Sequence, residues 1–170
     1  MTRFQIRAAE IEDAAGLASV HVRSWQSAYV GMVPQEHLDA LSVEKRAEGW
    51  RNGLSSGAFR TFVATNEDGI VGLVSVGATR DEGDSPGAFE VGAIYISPRL
   101  WRQGIGRALW LRASEEAQMQ GALTLSAWEF ERNHDSRTFY EAVGCVHSGA
   151  QKTMEIGGEK LIAVRYTLGL

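Results

Sequence analysis

The sequence predicts a single α/β domain built around a central mixed sheet. The chain has 170 residues, of which 44% are hydrophobic and 22% charged, which suffices for one domain with a full core. Segments with strict apolar–polar alternation are interleaved with segments whose apolar residues recur at helical spacing. No internal repeat, linker or low-complexity tract divides the sequence, so we expect residues 1–170 to fold as one unit.

The first half of the chain predicts one strand, two helices and a hairpin. Phe4 and Ile6 alternate with polar neighbours, as in a half-buried strand. Acidic residues within 10–13 are typical of a helix start, and the glycine-to-proline segment 31–34 ends that helix. The run Asn66-Glu67-Asp68-Gly69 is typical of a tight turn between paired strands. In order, the predicted elements are a strand over 3–8, helices over 10–29 and 34–54, and strands over 60–65 and 70–78.

The second half of the chain alternates strands with helices. Gly121 and Gly144 mark helix ends, and Gly157-Gly158 separates two closing strands. Residues 80–87 are polar and rich in turn formers, so we expect a mobile loop there. In order, the predicted elements are a strand over 89–96, a helix between 105 and 121, a strand over 122–128, a helix over 133–142, and strands over 146–148 and 161–167.

The segment after strand 89–96 carries two glycines where the next helix begins. It reads Arg102-Gln103-Gly104-Ile105-Gly106-Arg107. Glycine inside a helix costs about 1 kcal/mol relative to alanine, so Gly104 and Gly106 indicate that a ligand approaches the backbone closely. Amides of a first helical turn lack intrahelical acceptors and attract anions, and the flanking arginines add charge-assisted hydrogen bonds. The segment therefore predicts a site for a diphosphate.

Several other function classes are disfavoured. No Gly-Lys-Ser/Thr follows the glycines, and Leu109 stands where a dinucleotide-binding loop has glycine or alanine, so a nucleotide-binding protein is a weaker alternative. A net charge of −4 provides no field for nucleic acid. The apolar stretches are too short to cross a membrane, and the N-terminal residues lack the apolar core of a signal peptide. The four histidines show no metal-binding spacing.

Cys145 is the only cysteine of the chain. It cannot form an intrachain disulfide, and its place after Gly144 predicts a buried, inert thiol rather than a nucleophile. This use of cysteine fits a reducing cytoplasm.

Two segments together form a family pattern. The strand, the Ser97-Pro98 turn and residues 102–107 resemble the acyl-CoA motif, Gln/Arg-x-x-Gly-x-Gly/Ala, of the GCN5-related N-acetyltransferases, the GNAT family. Trp101 departs from that motif at its first position, where the neighbouring Arg102 can replace the lost donor. The segment Asn133-His-Asp-Ser-Arg-Thr-Phe-Tyr-Glu-Ala-Val-Gly144 resembles the family's Asn-x-x-Ala/Ser-x-x-Phe-Tyr-x-x-x-Gly block. Order and spacing also match, and the resemblance covers most of the chain, being weakest near its C-terminus.

The resemblance implies a GNAT fold, in which the sheet is mixed but mostly antiparallel and helices cover both of its faces. It implies an enzyme that binds acetyl-CoA and transfers the acetyl group to a primary amine of a small molecule or a protein. A non-catalytic acyl-CoA-binding or sensing domain of the same fold is the alternative. The identity of the acceptor stays open, as does a homodimer, which is frequent in this family.

The resemblance also implies roles for single residues. The thiol arm of coenzyme A would pair with the backbone of the strand and with Asn133, for which helix capping is a competing role. Tyr140 would protonate the departing thiolate, and the amide of Ile96 would stabilise the oxyanion. The residues expected to bind the cofactor are Ile94, Tyr95, Ile96, Arg102, Gln103, Gly104, Ile105, Gly106, Arg107 and Asn133.

Glu90 is the predicted general base. Strict alternation along the strand places its side chain on one face with Gly92, Ile94 and Ile96. A carboxylate on an apolar strand in a cleft has a raised pKa, and its spacing to Gly104 matches a catalytic glutamate of histone-modifying family members. The alternatives are a solvated Glu90 at a frayed strand end and a water chain that carries the proton.

The first helix is expected to contribute to the acceptor pocket. Trp25 and Tyr29 lie one turn apart, so both face the same side and offer an apolar wall with a polar handle. The alternative for Trp25 is that it anchors the helix to the sheet. Glu129 and Glu131 flank Phe130 where the strand ends, and a solvated edge is expected for both. The alternative is that they face the substrate cleft and attract a cation. His21 is expected to be a packed side chain.

Overall fold

A seven-stranded mixed sheet runs through the centre of the computed structural model, which describes residues 3–170. The strands are β1 (Gln5–Ala8), β2 (Phe59–Asn66), β3 (Gly69–Ala78), β4 (Ala88–Ile96), β5 (Thr124–Phe130), β6 (Val146–Ile156) and β7 (Glu159–Gly169). The helices are α1 (Ala14–Ala28), α2 (Gln35–Asp39), α3 (Val43–Ser56), α4 (Ile105–Met119) and α5 (His134–Ala142). Met1 and Thr2 of the predicted domain lie outside the described residues.

The sheet order is β1-β2-β3-β4-β5-β7-β6, and each neighbouring pair is antiparallel except β4 with β5. The prediction of a mixed, mostly antiparallel sheet is therefore confirmed. The parallel pair requires a crossover, which α4 supplies between β4 and β5. No helix within residues 3–170 is long and apolar enough to cross a membrane.

Separate apolar clusters cover the two faces of the sheet, so the predicted placement of helices on both faces is also confirmed. On one face, Leu109 and Trp110 of α4 pack with Val74 of β3. On the other face, Leu17 of α1 packs with Leu73, which alternates with Val74 along the same strand. A third cluster joins α2 to β5 and β7.

A bulge in β4 reverses the face of the sheet to which the side chains after Gly92 point. Val91 pairs with Val76 and Ala93 pairs with the adjacent Ser75, so Gly92 is inserted without a partner of its own on β3. As a result, Val91 and Ile94 pack in the same cluster against α4. Glu90, next to Val91, therefore faces the opposite side, and the prediction that it shares a face with Ile94 and Ile96 is wrong.

The pairing of β4 with β5 stops halfway along β4. The last paired residues are Val91 and Ala127, whereas β5 continues alongside β7 to Phe130. Residues 92–96 and 128–130 therefore lie on strands that have separated. This separation opens the sheet at the C-terminal ends of two parallel strands.

Several element boundaries differ from the prediction. The helix expected over 34–54 is two helices, because the Ser42 hydroxyl accepts a hydrogen bond from the Lys45 amide (3.2 Å) and starts α3 afresh. Strand β5 ends at Phe130 rather than 128. Strand β6 extends to Ile156 rather than 148, because backbone pairing with β7 forms it although nearly all its side chains are exposed.

The loop over residues 80–87 is tied down, so the expectation of a mobile segment is wrong. Arg165 of β7 donates two hydrogen bonds to the Asp84 carboxylate, at 2.9 and 2.5 Å. Asp81 accepts one from the indole of Trp128 at 2.6 Å. The hydrogen bonds from Arg165 hold the pKa of Asp84 below its usual range.

Substituting Asp84→Asn is expected to lower the free energy of unfolding by about 1–3 kcal/mol at pH 7, because a charged hydrogen-bonded pair is lost. Since the folded-state pKa of Asp84 is depressed, this stabilisation is present above the unfolded pKa, about 3.9, and disappears as the pH falls through the folded value. Urea unfolding of both proteins between pH 3 and 7 measures the effect. Glu82→Gln in the same loop is the control, and an equal loss in both variants at pH 7 contradicts the assignment.

Candidate functional site

A cleft of about 530 Å³ lies where β4 and β5 separate, a volume typical of small-molecule sites. It is bounded by the end of α1, the second half of β4, the start of α4 and the whole of α5. The predicted site residues that line it are Tyr29, Ile94, Tyr95, Ile96, Arg102, Gly104, Gly106, Arg107, Asn133 and Tyr140. Four others, all within the described chain, are not part of that lining: Trp25, Glu90, Gln103 and Ile105.

The start of α4 presents bare backbone to one end of the cleft. Gly104 is the residue before the helix, and its φ of +86° favours glycine over other residues. A Cβ at Gly104 would meet nothing within 4 Å, so the space in front of it is open. The side chain of Ile105 is buried in the core, so Ile105 can offer only its amide to a ligand.

Close packing around the start of α4 is a second reason for a glycine at position 106. A Cβ there would lie 3.3 Å from side-chain atoms of both Ile96 and Phe139. Its hydrogen therefore allows α4 to pack closely against β4 and α5, in addition to any approach by a ligand.

Two arginines stand at the mouth of the cleft. Arg102 donates a hydrogen bond to Asp135 at the start of α5 (2.9 Å), and both side chains are more than 80% exposed. A pair this exposed contributes little to stability, so a ligand with two negative charges can displace Asp135. Arg107 is also exposed and lines the same end of the cleft.

The carbonyl of Ile96 at the end of β4 accepts two hydrogen bonds. One comes from the Ser24 hydroxyl of α1 and the other from the indole of Trp101, both at 2.8 Å. Trp101, the residue that departs from the family motif, thus holds the strand end in place. Because this carbonyl is already bonded, Ile96 is better able to offer its amide than its carbonyl to a ligand.

Tyr140 of α5 lines the cleft although the residue is only 4% exposed. Its ring packs against Trp110 and stacks on Tyr166, with centroids 5.5 and 5.7 Å away. Burial raises the pKa of Tyr140 well above its ordinary value. The phenol is therefore neutral at physiological pH and can donate its proton.

Asn133 caps α5, as the competing role for it anticipated. Its side-chain oxygen accepts from the Ser136 amide at 3.3 Å, and its nitrogen donates to the Ser136 hydroxyl at 3.1 Å. Asn133 is buried and also lines the cleft, so capping fixes the position of an amide that a ligand can reach.

For Glu129 the structure favours the alternative of a cleft-facing carboxyl over the expected solvated edge. It lines the cleft and is 8% exposed, so the expectation of a solvated edge is wrong. Burial raises its pKa to about 7, although hydrogen bonds from the Phe130 amide (2.7 Å) and from Ser136, Asn133 and Tyr29 oppose that change. Glu131, on the other hand, is exposed.

Alternation along β5 was the available signal for Glu129. Leu125 and Ala127 are core residues of one cluster, and Glu129 is the next side chain on that face. A strand that ends at residue 128, as predicted, leaves Glu129 outside this alternation.

Glu90 is buried, but the structure does not bring it to the other candidates. Its carboxylate pairs with the guanidinium of Arg80 and also accepts from the Arg80 amide at 3.3 Å. The Glu90 carboxylate is therefore already bonded within the chain. Its role as general base stays a prediction, which this position does not favour.

Trp25 and Tyr29 differ in their positions relative to the cleft. Tyr29 lines it, beside Glu129. Trp25 packs edge-on against Tyr29 (4.8 Å between centroids) and against Phe130 of β5 (6.4 Å), which corresponds to the alternative that it anchors the helix to the sheet. Burial and nearby Arg46 lower the pKa of His21 to about 3, so it is a neutral, packed side chain.

The sequence resembles those of known N-acetyltransferases. The model of the acetyltransferase (GNAT) family matches residues 16–145. YuaI of Bacillus subtilis (strain 168), described as an uncharacterized N-acetyltransferase, is 33% identical over 157 residues, which cover 92% of this chain and 87% of YuaI.

Solved structures share the fold. A GCN5-related N-acetyltransferase of Rhodopseudomonas palustris has a TM-score of 0.78 at 24% identity and covers 100% of this chain and 98% of its own. The PaiA N-acetyltransferase of Thermoplasma acidophilum, in complex with coenzyme A, has a TM-score of 0.75 at 20% identity. The match covers 99% of this chain and 100% of the PaiA chain.

The packing role of Gly106 is testable apart from any ligand. Gly106→Val is expected to lower the free energy of unfolding by about 1–3 kcal/mol, because the added atoms meet Ile96 and Phe139. Gly49→Val in α3 is the control, since a Cβ there meets nothing within 4 Å. Urea unfolding compares the two. Equal stability of both variants would show that the space around Gly106 adjusts freely.

Proposed function

Because this chain belongs to the GNAT acetyltransferase family, we propose that it transfers the acetyl group of acetyl-CoA to a primary amine of a small molecule or a peptide. The observation that carries the proposal is a cleft with an anion-attracting helix start at one end and the buried phenol of Tyr140 along its wall. The coenzyme A complex of PaiA and the N-acetyltransferase description of YuaI support it.

The residues of the cleft fit the two parts of acetyl-CoA. The diphosphate would lie on the amides at the start of α4 beside Arg102 and Arg107, where the open space at Gly104 admits it. The thiol arm would run along residues 94–96, where β4 has lost its neighbour β5 and offers backbone groups to an added strand. Asn133 would donate to that arm.

The proposed chemistry is direct attack of a neutral amine on the thioester carbonyl. The amide of Ile96 would bind the oxyanion, and Tyr140 would protonate the thiolate that leaves. Acetyl-CoA supplies the activated acyl group, and the chain supplies orientation and proton transfer.

The alternative is a non-catalytic acyl-CoA-binding domain. The cleft argues for catalysis, because it extends past the start of α4 to Tyr29 and Tyr140, beyond what holding a diphosphate requires. Thermal-shift measurements with acetyl-CoA, coenzyme A, NAD and ATP, followed by thiol release in the presence of pooled amines, separate the two functions and a nucleotide-binding one. Binding of acetyl-CoA without amine-dependent thiol release would support the sensing domain.

We also propose that this activity takes place in the cytoplasm. Cys145 is unpaired and buried, and burial raises its pKa to about 12, so the thiol is unreactive and no disulfide stabilises the fold. A homodimer remains a prediction.

Tyr140→Phe is expected to lower kcat by about 10²- to 10⁴-fold, because a positioned proton donor is lost, while the Kd for acetyl-CoA changes little. Steady-state kinetics and calorimetry measure the two quantities. Tyr166→Phe is the matched control, since Tyr166 stacks on Tyr140 but lies outside the cleft lining. Unchanged turnover in the Tyr140 variant removes its hydroxyl from the mechanism.

Asp135→Asn is expected to tighten acetyl-CoA binding several-fold at low ionic strength, because it frees Arg102 and removes a negative charge at the cleft mouth. The gain should shrink as salt is added, since both groups are exposed. Calorimetry at two salt concentrations measures it. Glu131→Gln, an exposed change of the same charge outside the cleft lining, is the control, and weaker binding by the Asp135 variant contradicts the displacement of this pair.

A further inference from the structure

We propose that Glu129 accepts the proton of the acceptor amine, so that the cleft selects amines that arrive as ammonium ions. This role rests on the proposed acetyl transfer. It identifies the general base of that reaction and the charge of its amine substrate. Its basis is the placement of a buried carboxyl in the cleft at the separation of β4 and β5, in the same lining as Tyr140.

The groups around Glu129 leave its carboxyl without a cation. Tyr29 at the end of α1, Tyr95 of β4 and Tyr140 of α5 each interact electrostatically with it. Asn133 and Ser136 reach it from the start of α5. Within residues 3–170 no arginine, lysine or histidine forms an ion pair with Glu129.

The charged groups of the cleft lie towards its mouth instead. Arg102 pairs there with Asp135, and Arg107 is exposed. A buried carboxylate without a counterion is costly, and an ammonium ion of the substrate would supply the missing charge. The phenols that surround the carboxyl are neutral, so they provide hydrogen-bond partners without competing for the substrate.

The proton balance of the reaction is complete with the groups named. The ammonium gives one proton to Glu129, and the nitrogen lone pair then forms the C–N bond at the thioester carbonyl. When the C–S bond breaks, the thiolate takes the proton of Tyr140. The second nitrogen proton leaves the amide product and restores the Tyr140 phenol, while the proton on Glu129 passes to solvent.

Glu90 does not meet the same requirements. It faces the side of β4 opposite to Ile94, outside the cleft lining, and its carboxylate is already paired with Arg80. A base must come within hydrogen-bond reach of the proton it removes, and Glu129 is a buried carboxyl in the cleft lining, whereas Asp135 is exposed and paired with Arg102 at the mouth.

The first test is independent of catalysis. Since the folded-state pKa of Glu129 is raised, to about 7, its ionisation opposes folding at pH values above the unfolded pKa. Glu129→Gln should therefore raise the unfolding temperature at pH 8 and leave it nearly unchanged near pH 3, where the group is largely protonated in both states. The control is Glu131→Gln, which is expected to change neither. A stability gain that does not vary with pH contradicts an ionisable, uncompensated Glu129.

The second test uses kinetics with acetyl-CoA and a panel of an alkylamine, a diamine, an amino acid amide and a short peptide. Glu129→Gln should lose the acidic limb of the kcat/KM profile and fall about 10²- to 10⁴-fold in rate with the best acceptor. Glu90→Gln should keep the limb. A fluorinated analogue of the best acceptor, which is neutral at the assay pH, should lose less in the Glu129 variant than the parent amine does.

The outcomes separate the two proposals. If no amine of the panel supports thiol release, the proposed function fails and the role of Glu129 fails with it. If acetylation occurs and Glu129→Gln keeps both the rate and the acidic limb, only the role of Glu129 is overturned. Loss of the limb in Glu90→Gln alone would assign the base to Glu90.

Discussion

The separation of β4 from β5 is the constraint on which the rest of the molecule depends. The two strands pair in parallel only as far as Val91 and Ala127. Beyond that point the bulge at Gly92 turns β4, while β5 stays with β7. A sheet that opens in its middle exposes backbone groups and strand ends that an ordinary parallel pair would bury, and each candidate group that lines the cleft lies around that opening.

The same opening explains why groups from both faces of the sheet meet. Tyr29 reaches the gap from α1, and Tyr140 reaches it from α5, although their helices cover opposite faces. Glu129 lies between them on β5. An intact sheet would keep a donor and an acceptor on separate surfaces, whereas the gap gives them a common volume.

The sequence allowed prediction of features that local backbone signals determine. Two glycines at 104 and 106, and the spacing from Asn133 to Tyr140, located the helix start and the block that line the cleft. Features set by contacts distant in sequence were missed. The anchoring of loop 80–87 depends on Arg165, some eighty positions later, and the burial of Glu129 depends on pairing of Phe130 with Ala163. Strict alternation failed at Glu90 because one inserted residue reverses every side chain beyond it.

The carbonyl of Ile96 connects two parts of the chain that are far apart in sequence. It holds Ser24, on the helix that carries Tyr29, and Trp101, next to the loop that begins α4. A shift of the strand end would strain both hydrogen bonds at once, so the loop before α4 and the helix α1 are held by the same carbonyl oxygen. Any cooperativity that passes through this oxygen is reciprocal: the factor by which the first substrate changes affinity for the second equals the factor in the other order.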